Sequence, residues 1–106
     1  MKPIFLELRH LKTLLALKET GSVSLAAKRV YLTQSALSHQ IKLLEDQYGL
    51  PLFERKTQPL HFTPAGERLI QLANDILPKV IEAERDLARV KQGEAGELRI
   101  AVECHT

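Results

Sequence analysis

Polar residues recur at helical spacing between positions 34 and 42, and they are the side chains in this chain best arranged to bind a polar ligand. They are Gln34, Ser35, Ser38, His39 and Lys42. At about 100° per residue they share one stripe of a helix, on the side away from Leu37 and Ile41. Each of them can donate a hydrogen bond, His39 in the appropriate tautomer. The stripe therefore predicts a surface that binds hydrogen-bond acceptors.

The same residue types could also suggest catalysis, but their spacing argues against it. Ser38 and His39 are adjacent in the helix and point about 100° apart, so the histidine cannot serve as base for the serine. The sequence contains no nucleophile elbow, no glycine-rich phosphate loop and no metal-ligand spacing. We therefore expect no enzyme, and no metal or cofactor in this chain.

Cysteine content and hydropathy bear on the compartment. Cys104 is the one cysteine of the sequence and cannot form an internal disulfide, which fits a reducing, cytoplasmic setting. No apolar run is long enough to span a bilayer or to form a signal-peptide core. We expect a cytoplasmic protein with no membrane partner.

Charge is distributed unevenly along the chain. The formal net charge is only +2, but residues 1–66 contain nine basic and five acidic side chains, whereas residues 67–106 contain six and eight. Two windows, Thr20–Leu44 and Arg55–Gly66, contain no carboxylate. Because a phosphate backbone repels carboxylates, these windows predict two parts of one surface that faces a nucleic acid.

Apolar spacing predicts three helices before position 50. Gly21 and Gly49 are suited to left-handed helix ends, and the hydroxyls of Ser22 and Thr33 can cap the helices that follow them. The apolar positions are Leu8, Leu11, Leu14, Leu15 and Leu17 in the first helix; Val23, Leu25, Ala26, Ala27 and Val30 as the buried face of the second; and Leu37, Ile41, Leu44 and Tyr48 in the third. The second and third, joined by Tyr31-Leu32, have the pattern of a helix-turn-helix.

Two strands and a long helix are predicted next. The apolar runs Leu50–Phe53 and Leu60–Phe62 flank a polar loop, as in a two-stranded wing. Thr63 and Pro64 form a favourable helix start, because the hydroxyl caps and the proline has no N–H to leave unpaired. The predicted fold is mainly α: a winged helix-turn-helix with a two-stranded wing, followed by a long dimerisation helix.

The long helix carries an apolar stripe in steps of four and three, the spacing of a coiled coil. The stripe consists of Leu69, Ala73, Ile76, Val80, Ala83, Leu87 and Val90. Part of it can pack on the first helix, but roughly 28 residues make a rod of about 42 Å, too long for one small domain to cover. We therefore predict a homodimer through this stripe. Pro78 is expected to bend the rod near Asn74 without ending it.

The last residues predict a hinge and a strand. Gly93 and Gly96 bracket a break, after which Leu98, Ile100 and Val102 alternate with polar residues. Since an isolated strand is unstable, this strand is expected to begin a further domain. The predicted division is 1–63 for the winged helix-turn-helix, 64–92 for the linker helix, and 93–106 for the hinge and first strand.

Several segments together carry a family resemblance. They are Leu8-Arg9-His10-Leu11, Gly21-Ser22, Ala26-Ala27, Thr33–Ile41, Leu44-Glu45, Pro51–Arg55 and Thr63–Gly66. In these segments the chain resembles LysR-type transcriptional regulators over nearly its whole length. The resemblance implies a winged helix-turn-helix, a dimerising linker helix and a C-terminal effector-binding domain, of which the first two are expected here. Within the family, Lys56–Leu60, Phe62–Pro64 and Leu98–His105 are most similar to regulators of methionine biosynthesis genes.

The resemblance also implies a set of site residues. Gln34, Ser35, Ser38 and His39 would enter the major groove of DNA, with Arg55 near the minor groove. The complete expected DNA-binding set is Ser22, Thr33, Gln34, Ser35, Ser38, His39, Lys42, Arg55 and Lys56. Many members have proline at the position of Ser35 and arginine at that of His39, so no base preference follows from the family.

The implied partners are a double-stranded DNA operator and a second copy of the chain. A tetramer at full length and contact with RNA polymerase are further assemblies that the family allows. A small-molecule effector, homocysteine by resemblance, would bind the absent C-terminal domain. The alternative is a winged helix that binds a protein, but Gln34, Ser35 and Ser38 are not the aromatic anchors that protein interfaces prefer.

Overall fold

The computed structural model describes residues 3–54 and 59–93 of the chain. In these ranges the elements are helices α1 (Leu8–Thr20), α2 (Val23–Arg29) and α3 (Gln34–Tyr48), strands β1 (Phe53–Glu54) and β2 (His61–Phe62), and helix α4 (Pro64–Lys91). The predicted order of three helices, a two-stranded wing and a long helix is confirmed.

The helix ends lie where the cap residues predict them. Gly21 adopts a left-handed φ of 69°, and its N–H donates to the carbonyl of Leu17 at 2.8 Å. The Ser22 hydroxyl accepts the N–H of Leu25 at 3.2 Å, which starts α2. These bonds satisfy backbone groups that a helix end would otherwise leave unpaired.

A tight turn connects α2 and α3. The N–H of Leu32 donates to the carbonyl of Ala27 at 2.8 Å, which closes the turn. Tyr31 has a φ of 60°, the left-handed region that residues with a side chain rarely adopt. Ala27, Leu37 and Ile41 are fully or almost fully buried between the two helices. The helix-turn-helix is thereby fixed as one rigid unit.

The main core joins α1, α2, α3, the wing and the first part of α4. Its buried members are Leu14, Ala16, Leu17, Ala26, Ala27, Leu37, Ile41, Leu44, Leu52, Phe53 and Ile70. Of the apolar positions predicted in the first three helices, Leu8, Leu25 and Tyr48 are exposed and lie outside it. Leu25 is 53% exposed, because the short α2 turns only Ala26 and Ala27 fully into the core. Tyr48 is also exposed, since it lies in the last turn of α3 beyond Leu44.

Helix α4 starts at the wing and runs past the rest of the fold. Strands β1 and β2 pair antiparallel, with Phe53 opposite Phe62. The Thr63 hydroxyl accepts the N–H of Gly66 at 3.1 Å and caps α4. The helix continues through Pro78 to Lys91, as predicted. A second small core, in which Leu11 of α1 contacts Ala73 and Leu77, attaches α4 to the domain.

Some sequence-based expectations fall on residues that the structure does not describe. They concern the wing residues Arg55 and Lys56 and the strand Leu98–Val102, which lie outside the described ranges. The division into three segments at 63/64 and 92/93 therefore stays a prediction.

Candidate nucleic-acid interface

Helix α3 presents one exposed polar face, formed by Gln34, Ser35, Ser38, His39 and Lys42. We call this set the polar face of α3. The opposite side of the helix, with Leu37, Ile41 and Leu44, is fully buried. Burial of that side fixes the rotation of the helix, so the five polar side chains point to solvent together. The polar stripe predicted from the sequence is therefore an outer surface of the fold.

The start of α3 adds backbone donors to this face. The Thr33 hydroxyl accepts the N–H of Ala36 at 3.0 Å and caps the helix. The first turn contains no acidic side chain that would neutralise the partial positive charge there. Backbone N–H groups at a helix start favour anions such as phosphate. This end of α3 can therefore contribute to anion binding without any further side chain.

Ser22 and Thr33, which are expected to contact DNA, also cap helices. Each hydroxyl oxygen accepts a backbone N–H, from Leu25 at 3.2 Å and from Ala36 at 3.0 Å respectively. The hydroxyl hydrogen of each residue stays available as a donor. Thr33 is exposed and Ser22 is half-buried. The two residues hold the N-termini of α2 and α3 and can still donate to a ligand.

Lys42 has an acidic neighbour one turn further along α3. Its ammonium lies 3.8 Å from the Asp46 carboxylate, and both side chains are mostly exposed. Exposed pairs of this kind contribute little, because water and salt screen them. Lys42 can therefore exchange Asp46 for another anion. Asp46 also marks the end of the acid-free surface on this helix.

Lys18 links the wing to helices α1 and α4. The ammonium of Lys18 on α1 lies 2.7 Å from the Glu67 carboxylate and 5.5 Å from the centre of the Phe62 ring. Phe62 in turn packs beside Phe53, with ring centres 5.9 Å apart. Strand β1 ends at Glu54, directly before Arg55 in the chain. The described part of the wing is thus held against α1 and α4, whereas Arg55 and Lys56 themselves are outside the described ranges.

The residues of the predicted dimer stripe fall into two groups. Leu69 and Ile76 are half-buried against the protomer's own cores, and Ala73 is fully buried against Leu11. Ala73 therefore presents no surface to a partner. Val80 and Val90 are half-buried, Ala83 is exposed and Leu87 is 63% exposed. The part of the stripe beyond Leu77 belongs to neither apolar core of the described residues.

Several residues beside this stripe were not predicted from the sequence to belong to the dimer surface. A groove with a volume of about 320 Å³ runs between α1 and α4 and is lined by Leu8, Leu15, Leu77, Val80 and Ile81 among others. Leu8 and Ile81 are exposed apolar side chains. Leu8 and Leu15 were predicted only as apolar positions of α1. They are seven residues apart, and this i, i+7 spacing is the signal that would have placed them beside the stripe.

The described residues offer little other chemistry. Across 3–54 and 59–93 there is no group of three His, Cys, Asp or Glu side chains close enough to hold a metal ion. No helix in these ranges has the length and apolarity needed to cross a membrane.

The buried His10 has a structural role at the start of α1. Its Nδ1 accepts the backbone N–H of Glu7 at 2.9 Å, and its ring stacks on Phe5 with centres 5.7 Å apart. Burial and the nearby charge of Arg9 lower the pKa of His10, and Glu7 acts weakly in the opposite direction. The neutral ring is the form that can accept the Glu7 N–H.

Comparison with known proteins agrees with this architecture. Residues 8–67 match the model of the bacterial regulatory helix-turn-helix proteins of the lysR family, which is more than half of the chain. The chain is 84% identical over all 106 residues to the HTH-type transcriptional regulator MetR of Haemophilus influenzae. It covers 34% of that relative, and so spans about a third of the length of the curated relative it matches.

Solved structures are similar over most of the described fold. The crystal structure of the BenM DNA-binding domain in complex with catB site 1 DNA superposes with a TM-score of 0.76 at 35% identity, covering 84% of this chain and 96% of that one. Full-length LysG of Corynebacterium glutamicum, with bound effector Arg, superposes with a TM-score of 0.72 at 34% identity, covering 78% of this chain and 28% of that one. The chain therefore belongs to the lysR family of bacterial regulatory helix-turn-helix proteins.

Proposed function

We propose that this chain binds double-stranded DNA in a sequence-specific manner, as the DNA-binding part of a transcriptional regulator. The observation that carries the proposal is the polar face of α3: exposed side chains on a rigidly packed second helix of a helix-turn-helix, all able to donate hydrogen bonds. The similar BenM domain was crystallised in complex with DNA, which supports the same use of this fold here.

Base edges and phosphates would be contacted by different residues. Gln34, Ser35, Ser38 and His39 enter the major groove, where an amide such as that of Gln34 can bind adenine with two hydrogen bonds. Lys42 and the hydroxyls of Ser22 and Thr33 bind phosphate oxygens, which position the protein without reading the sequence. Arg55 and Lys56, which lie between the two strands in the sequence, would contact the adjacent backbone and minor groove.

Two protomers would act together. The stripe beyond Leu77, in which Ala83 and Leu87 are exposed and Val80 and Val90 are half-buried, forms the homodimer contact. Two copies of α3 then bind half-sites about one helical turn apart, near 34 Å. The operator is accordingly expected to have dyad symmetry.

The relatives support an inference about the regulated genes and the effector. The identity of 84% to MetR supports regulation of methionine biosynthesis genes, by a bacterial protein that acts on DNA in the cytoplasm. The LysG structure with bound effector is of the full-length protein, and the present chain covers only 28% of its length. We expect a small-molecule effector, homocysteine in this branch of the family, to bind outside residues 3–93.

Selection from a random duplex library tests the proposal directly. The chain should enrich a dyad-symmetric motif at moderate salt. The Gln34→Ala and Lys42→Ala chains provide a matched comparison, because the first removes a base contact and the second a phosphate contact. A chain that enriches no duplex even at low ionic strength is not a DNA-binding protein. That result would favour a winged helix that binds another protein.

A further inference from the structure

A cavity of about 360 Å³ lies behind the helix-turn-helix, between α1, the end of α2, the connecting turn and α3. We call it the turn cavity. Its lining includes Arg9, Lys12, Arg29, Tyr31, Leu32 and Gln40. Among the residues that the structure describes, the lining comprises three cations and no carboxylate. Such a lining favours an anionic ligand.

The turn cavity is separate from the polar face of α3. Gln40 is two residues from both Ser38 and Lys42, so it points about 160° away from each of them around the helix. A DNA duplex against the polar face would therefore lie on the other side of α3 from Gln40. We therefore expect the turn cavity to stay accessible when DNA is bound.

The cations of the turn cavity can accept a new partner. Arg9 and Arg29 pair with Glu7 at 2.8 Å and Glu19 at 2.6 Å, but all of these side chains are about half exposed or more. Exposed ion pairs exchange readily with a competing carboxylate. Lys12 has no ion-pair partner among the residues that the structure describes. The cavity therefore holds one unpaired and two exchangeable positive charges.

Gln40 adds an unsatisfied polar group. Its Oε1 is buried and has no hydrogen-bond partner within the described part of the chain. A buried acceptor without a partner is unfavourable, and a backbone N–H of a bound peptide could donate to it. The side-chain amide can present either its oxygen or its NH₂ group to such a ligand.

Tyr31 gives the cavity an aromatic rim. It is 94% exposed and has a left-handed φ of 60°, which is disfavoured for a residue with a side chain. The turn thus holds a large aromatic side chain in solvent at a cavity that Arg9 and Arg29 also line. Tyrosine and arginine are the residue types most enriched among the dominant contacts of protein interfaces.

We propose that the turn cavity is a docking site for an acidic segment of a partner protein. A carboxylate of the segment lies among Arg9, Lys12 and Arg29, and an adjacent apolar side chain packs on Tyr31 and Leu32. A peptide fits better than a small anion, because the cavity is larger than a carboxylate and its rim is aromatic and open. The site is independent of the proposed DNA contacts.

Selection of displayed random peptides on the 106-residue chain tests this assignment. Peptides rich in Asp and Glu with a neighbouring apolar residue should be enriched. Arg29→Ala should weaken their binding by about fivefold or more, as truncation of a dominant interface residue does. Lys28→Ala is the matched control: it removes the preceding cation of α2, which is exposed but not part of the cavity lining. Lys28→Ala should change the affinity for the peptides by less than about twofold, because isolated surface charges contribute little.

Two further measurements separate the other occupants. Tyr31→Ala should weaken the binding of the peptides without changing the affinity for duplex DNA. Excess duplex should not displace the bound peptides. Displacement by DNA would mean that the peptides occupy the polar face of α3, and free glutarate that competes as well as a peptide would mean a site for small anions. Enriched peptides that are insensitive to both Arg29→Ala and Tyr31→Ala, or no enrichment at all, would overturn the proposal.

Discussion

Gly66 lies so close to the carbonyl oxygen of Leu52 that a side chain at this position would overlap it. A Cβ built on Gly66 would also come within 2.9 Å of the Phe62 ring. Around this contact the Thr63 N–H donates to the same Leu52 carbonyl at 3.0 Å, and the Thr63 hydroxyl donates to Pro51 at 2.6 Å. The close approach of backbone to backbone joins the first turn of α4 to the wing. Glycine is the residue that permits it.

Replacement of Gly66 should therefore destabilise the fold. In an ordinary exposed helix position, Gly→Ala stabilises by up to about 1 kcal/mol, because alanine is the better helix former. For Gly66→Ala we expect the opposite sign, a loss of about 1–3 kcal/mol in the free energy of unfolding, as for other overpacked sites. Urea denaturation followed by circular dichroism measures the difference. An alanine variant as stable as the parent would mean that the wing and α4 are not in contact.

Gln34→Ala tests the assignment of base contacts. If the amide reads one base, its loss should relax the preference at one position of each half-site, with about 1–3 kcal/mol less discrimination there. Preferences elsewhere in the motif should be unchanged. Selection of bound duplexes with the variant and the parent gives the comparison. Equal weakening for all sequences would instead make Gln34 a phosphate-positioning residue.

Lys42→Ala tests the assignment of phosphate contacts. Loss of one neutralised phosphate should weaken binding to every duplex and lower the slope of log K against log salt by about one unit. Lys79→Ala, an exposed lysine on α4, is the matched control and should leave the slope unchanged. A slope that is the same for Lys42→Ala and the parent would remove Lys42 from the interface.

The fold could be predicted where neighbouring residues decide the structure. Helices α1 and α3 end at Gly21 and Gly49, because glycine adopts the left-handed backbone conformation without strain. Helices α2 and α3 begin where the hydroxyls of Ser22 and Thr33 cap them. These effects act within one helical turn. The exposure of the polar face of α3 followed in the same way, because a helix that buries Leu37 and Ile41 must expose the opposite side.

Features that depend on the packing of distant elements could not be predicted. The stripe on α4 is regular in sequence, but which of its members α1 covers is decided by the crossing of the two helices, where Leu11 meets Ala73. Leu25 is predicted as a core residue but is exposed, because Ala26 and Ala27 are the residues of α2 that are fully buried. The left-handed Tyr31 carries no sequence signal comparable to a glycine.

The capping role of His10 predicts a dependence of stability on pH. Its pKa is lowered in the folded chain, mainly by burial, so between that value and the usual 6.5 the unfolded chain binds more protons than the folded one. The contribution of the neutral His10 ring to the free energy of unfolding is fully present above pH 6.5. It should be lost as the pH falls from there through the folded-state pKa.

Two substitutions separate titration from capping. His10 occupies the third position of α1, where glutamine can also accept the N–H of the cap residue. His10→Gln should therefore flatten the pH profile of the unfolding free energy below pH 6.5, and His10→Ala should flatten it and also lower stability at neutral pH. Chemical denaturation at a series of pH values gives both profiles. A glutamine variant with the parent's slope would assign the pH dependence to other groups.

The exposed end of the stripe on α4 provides the test of dimerisation. Leu87 is 63% exposed in the single protomer and contributes to neither apolar core of the described residues, so a charge there should not disturb the fold. In a dimer the same side chain would be buried, and a glutamate in that position would carry the cost of desolvation without a partner. Leu87→Glu should therefore give folded monomers in sedimentation. Arg85→Glu introduces the same side chain about 160° around the helix and should leave the dimer intact. Dimers that persist in Leu87→Glu would mean that the chain does not associate through this face of α4.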